Sequence, residues 1–69
     1  MKHYRIMGNY QGNTEEIDCV APSEGYANPE AEARRLRSEY QFSFGPNWVI
    51  WVEVQTFKNG ILDECIPLD

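Results

Sequence analysis

Few residues in this chain of 69 carry chemistry in a recognisable pattern. Its two cysteines stand far apart, at positions 19 and 65, and form no Cys-x-x-Cys pair, so neither a zinc site nor a dithiol redox centre is signalled. In a reducing compartment both are expected to be free thiols in or near the core. The single histidine, His3, has no serine or cysteine at a spacing that would pair nucleophile with base. Gly8-Asn9-Tyr10-Gln11-Gly12 has a loose glycine spacing but lacks the lysine and the strand-to-helix setting of a phosphate loop, and reads as a hairpin turn. These gaps argue against an enzyme and give no reason to expect a metal or cofactor.

Long apolar runs are missing too. No segment approaches the ~20 apolar residues that cross a bilayer, and the opening Met1-Lys2-His3-Tyr4-Arg5 lacks the apolar core of a signal peptide. The expectation is a cytoplasmic protein with no membrane partner. Basic residues are also scarce: six against eleven acidic ones give a formal charge of −5 and a pI near 4.7. That balance opposes the attraction behind non-specific nucleic-acid binding, so direct contact with DNA or RNA is not expected. One small domain of this length gains roughly 3–5 kcal/mol of net stability from its core, which makes support from a second chain worth considering.

What the chain does have is a β-branched and aromatic stretch at 48–57, WVIWVEVQTF, which opens with five consecutive apolar residues and then alternates around Glu53 and Gln55. Such residues suit a pleated, largely covered central strand. Residues 2–10 put Tyr4, Ile6 and Tyr10 on one face and His3, Arg5, Met7 and Asn9 on the other. Gln11-Gly12-Asn13 supplies a reversal. Residues 14–21 alternate again, with Ile17, Cys19 and Ala21 on one side and Glu16, Asp18 and Val20 on the other. The acids of this second strand suit an exposed edge.

Asn28-Pro29-Glu30 is a helix start, and Gly45-Pro46 is a stop. Between them Pro29, Ala33, Leu36, Tyr40 and Phe44 form one apolar stripe. Arg34, Arg35 and Arg37 are expected on a solvated face, with Glu30–Arg34 and Arg35–Glu39 at i,i+4. Phe42 lies off the stripe: either the helix end distorts and tucks the ring back, or the ring stays exposed for a partner. After the long strand, Lys58-Asn59-Gly60 turns the chain into a last strand over 61–68. A two-residue Asn59-Gly60 loop would oppose Phe57 to Leu62 and bring Cys65 to the core face. A three-residue bulged loop would point Leu62 and Ile66 inward, and burial of two aliphatics favours it.

The predicted fold is α+β, β-β-α-β-β, a four-stranded antiparallel sheet in the order 2-1-3-4 with one helix packed on one face. The helix is expected to meet Tyr4, Ile6, Ile17, Trp48, Ile50, Val52 and Val54. Nothing remains to cover the other face, which should carry Met7, Val49, Trp51 and Phe57 beside Arg5, Glu53 and Gln55. An uncovered apolar patch rimmed by charge marks an interaction site. The candidate partner-binding residues are Trp51, Phe57, Glu53, Val49, Phe42, Glu15, Glu16 and Asp18. The partner expected is a protein with a basic surface, or a second copy buried against the open sheet face.

In size, charge and economy, though in no residue pattern, the chain is similar to small phage or mobile-element proteins that inhibit host machinery, some anti-CRISPR proteins among them. The expected function is therefore stoichiometric protein binding of that inhibitory kind. A different class stays open: a homodimer holding a small, nucleotide-like ligand, with Arg5, Tyr10 and the helix start at Asn28 as contacts.

Overall fold

The computed structural model describes residues 2–68. Strands β1 (Lys2–Tyr10) and β2 (Asn13–Val20) form the first hairpin, a short 3-10 turn (Pro22–Glu24) leads to helix α1 (Pro29–Phe44), and β3 (Val49–Lys58) and β4 (Ile61–Pro67) form the second hairpin. All pairings are antiparallel and the sheet order is β2-β1-β3-β4, the predicted architecture.

The helix occupies its predicted span because both ends are written locally. The Asn28 side chain accepts the Ala31 amide at 3.1 Å, Pro29 takes the first helical position, and Gly45, at φ 93°, ends the run. Gln41 Nε2 then donates to the carbonyls of Gly45 and Trp48, fastening the turn into β3. Ala33, fully buried, lets the helix sit close to the sheet, and Leu36 and Tyr40 pack around it on Tyr4, Ile6, Val20, Ile50, Val52 and Val54. At the far end Trp48 stacks on Tyr10 and meets the edge of Phe44. The indole lies over Gly8: a Cβ there would come within 3.0 Å of Trp48 Cε3 and 2.6 Å of Ile17 Cδ1. Arg34 and Arg35 carry ion pairs on the solvent side, whereas Arg37 turns in and donates from Nε to the Ile50 carbonyl at 3.0 Å.

Two bulges change which residues face the core. In β2, Ile6 pairs with Asp18 and Met7 with Glu16, which leaves Ile17 as an extra residue. Ile17 and Asp18 therefore both lie on the helix side, and Val20, expected outside, is fully buried, while Cys19 turns outward. In the second hairpin the loop is the two-residue Asn59-Gly60, with φ values of 54° and 79° that fit a type I′ turn, rather than the three-residue loop. Phe57 accordingly opposes Leu62. An extra residue at Asp63 then shifts the pairing so that Ile66 opposes Val54 and Cys65 opposes Gln55 on the outer face. Leu62 and Ile66 stay 50% and 52% exposed, and both cysteines are exposed free thiols instead of core residues. Asn-Gly readily takes the paired positive φ values that β-branched residues refuse, so the turn chemistry outweighs the gain from burying aliphatics.

One further expectation is corrected, and one residue of the open face is more buried than its neighbours. Phe42 is not tucked back: α1 runs regularly past it and leaves the ring 92% exposed. Met7, placed on the uncovered face, is only 7% exposed. It lies on an inner strand with Trp51 opposite on β3 and Glu16 opposite on β2, so it has long cross-strand neighbours on both sides.

Candidate functional site

The sheet face away from α1 is built by alternation along four strands: His3, Arg5 and Met7 from β1, Glu16 and Cys19 from β2, Val49, Trp51, Glu53, Gln55 and Phe57 from β3, and Leu62 and Cys65 from β4. Its centre is a polar network. Arg5 Nε donates to Glu16 Oε1 at 2.6 Å, and Arg5 Nη1 reaches Glu53 Oε1 at 3.4 Å. Glu53 also accepts from Trp51 Nε1 at 3.0 Å and from Cys65 Sγ at 3.4 Å. The bond from Glu16 holds the Arg5 guanidinium even more firmly protonated than usual. Around the network, Val49 is 63% exposed, Trp51 and Phe57 are half-buried, and His3 meets the Phe57 ring edge-on at 4.9 Å.

Trp51 is thus anchored within its own chain by one hydrogen bond while keeping part of its surface open, and Glu53 works as the organiser of the face rather than as a lone rim charge. Phe42 lies elsewhere, on the solvent side of α1 beside an open, shallow depression that it shares with Arg37, Ser38, Gln41 and Pro46.

The acids named from the sequence do not form one row. Glu16 belongs to the open face, Glu15 pairs with Gly8 at the sheet edge, and Asp18 lies on the helix side, where it accepts the Tyr40 hydroxyl at 2.8 Å and the Cys19 amide at 2.7 Å. What the structure adds is a continuation of this charge beyond β2. Partial desolvation first, and then the charges of Glu16, Glu24 and Asp18, push the Cys19 thiol above the usual range. The negative charge of Glu32, with Glu24 and Asp18 contributing, does the same to the Tyr26 hydroxyl. Glu24, whose carboxylate accepts the Ala21 amide at 3.3 Å just past β2, thus continues the acids of that strand, and exposed Tyr26 is the aromatic residue beside them, with Arg35 as a cation acting on it. Sequence reasoning missed both, because the segment that carries them reads as a plain connection and only folding returns it to β2.

The contacts proposed for a small ligand do not converge. Arg5 is held on the open face, Tyr10 stacks on Trp48 on the opposite face, and the Asn28 side chain is engaged in capping α1. Among the described residues no group of three or more His, Cys, Asp or Glu is arranged to hold a metal ion, and no helix is long and apolar enough to cross a membrane. No protein-family model matches the chain, and neither a curated protein nor a solved structure does.

Proposed function

We propose that the protein acts by stoichiometric binding to another protein through a basic surface on that partner, and performs no chemistry of its own. The observation that carries this reading is the acidic edge: Glu15 and Glu16 lie on the outer strand β2 with Asp18 two residues on, and Glu24 follows just beyond it, its carboxylate accepting the Ala21 amide at 3.3 Å, while Arg5 offsets Glu16 alone among them. An edge of this kind attracts a basic surface and speeds its approach. Tyr26, exposed beside these acids, supplies apolar area for the contact that follows. Occupying a basic surface blocks whatever that surface otherwise binds, so the module is read as an inhibitor of the format that small phage and mobile-element proteins use.

The test is capture of the partner from the source cell, followed by calorimetry and stopped-flow association with the purified partner. The expected result is a saturable complex with a fixed ratio of chains, whose association slows as salt rises, because at ~0.15 M ionic strength exposed charges reach only roughly 8 Å. Neutralising Glu15 and Glu16 to glutamine should lower the on-rate more than it raises the off-rate. Asp18 is left intact in that variant because it holds Tyr40. Turnover of a substrate by the purified chain, or a partner affinity indifferent to salt and to both substitutions, would overturn the reading.

A further inference from the structure

The open sheet face and the acidic edge differ in charge, and the difference points to different occupants. Among the paired residues of the face, the charged side chains are Arg5, Glu16 and Glu53, a net −1 out of the chain's −5. The rest is Met7, Val49, Trp51, Phe57 and Leu62, with polar but uncharged neighbours. Three mutually paired charges at the centre, with aromatic and aliphatic side chains around them, make a face of low net charge that suits an interface better than a surface built to meet a cation-rich partner.

We infer that this face pairs with a second copy of the same chain. The charge pattern can complement itself: Arg5 on β1 and Glu53 on β3 stand at the same height, so a two-fold axis running between these strands sets each Arg5 over the other chain's Glu53. The size is sufficient. With strands about 4.8 Å apart and about 3.3 Å per residue along them, the face measures roughly 20 by 30 Å, and two copies bury on the order of 1,200 Å² in total. That reaches the lower limit of specific, stable interfaces, near ~1,200 Å².

Both sheet edges, by contrast, resist assembly by added strands. β2 carries acids and a bulge at Ile17. β4 is bulged at Asp63, and because Leu68 donates its amide inward to Val52 at 2.8 Å, the preceding Pro67 stands where the backbone nitrogen points outward, a position at which proline offers no donor. The copies therefore stack face to face, with sheets aligned to within about 30°, and leave the acidic edges and helices on the outside.

Sedimentation equilibrium of the full chain over a wide concentration range tests this. The expected mass at high concentration is twice the 8.0 kDa of one chain. Val49 and Leu62 are exposed enough that glutamate at either position is compatible with the monomer fold, checked by circular dichroism. V49E and L62E should each raise the dimer dissociation constant by roughly 30-fold or more. Phe42→Ser, on the far side of α1, should leave it unchanged. A chain that stays monomeric at every concentration overturns the inference, as does a dimer that survives both glutamates or one that Phe42→Ser dissolves. The result is independent of the basic partner: a monomer that still binds such a partner removes the dimer and leaves the proposed function standing.

Discussion

Gly8 lies where the core leaves no space for a Cβ. Its absent side chain makes room for the Trp48 ring and the Ile17 methyl, so Gly8→Ala should cost about 1–3 kcal/mol by overpacking, read from the urea midpoint. Ile17 Cδ1 is the free end of a flexible chain and can yield, but the indole is held between Tyr10 and Phe44 and cannot. A second test concerns Tyr40, whose hydroxyl donates to Asp18 from a half-buried position. Tyr40→Phe should lower stability by about 1 kcal/mol at neutral pH. The same hydrogen bond raises the phenol above its ordinary range, which means the folded state holds that proton more tightly than the unfolded chain. Its contribution is therefore complete below the unfolded value near ~10 and is lost as pH rises through the folded one, so the gap between wild type and Tyr40→Phe should close at alkaline pH.

Among the elements, α1 was legible end to end because its boundaries rest on residues adjacent in sequence: Asn28 and Pro29 before it, Gly45 and Pro46 after it. Asn28→Ala should cost about 1 kcal/mol, measured by chemical denaturation, since the Ala31 amide loses its acceptor. The C-terminal hairpin depends on backbone conformation instead. Gly60→Ala forces a side chain into φ 79° and should cost about 1 kcal/mol or more, with earlier amide exchange in β4 than elsewhere in the sheet. The two bulges were not legible. Nothing in Glu16-Ile17-Asp18 or Leu62-Asp63-Glu64 marks an extra residue, because a bulge is a relation between two strands, set by what lies opposite.

For the molecule as a whole, one helix serves a sheet with two faces, and the consequence is concentrated in Trp51. It is half-buried opposite Met7 and its indole donates to Glu53, so Trp51→Ala should lower monomer stability by about 1–2 kcal/mol as well as weaken association. Thermal unfolding at low concentration separates the two effects, because association contributes least there; an unchanged midpoint would show that the ring serves the interface alone. The sequence by itself determined the order of elements, the span of α1, the sheet order and the uncovered face, since these follow from apolar periodicity, local capping and the chirality of connections. It also named most of the candidate site, with Glu53, Trp51 and Val49 on the face where they lie. Only the tertiary structure decided that Val20 is core and Cys19 surface, that Asp18 turns toward Tyr40 while Glu16 turns toward Arg5, and that Glu24 and Tyr26 join the acidic edge. The reason is physical: strand alternation tells which neighbours lie on opposite faces only until a pairing partner inserts a shift, and after one extra residue every later side chain changes sides.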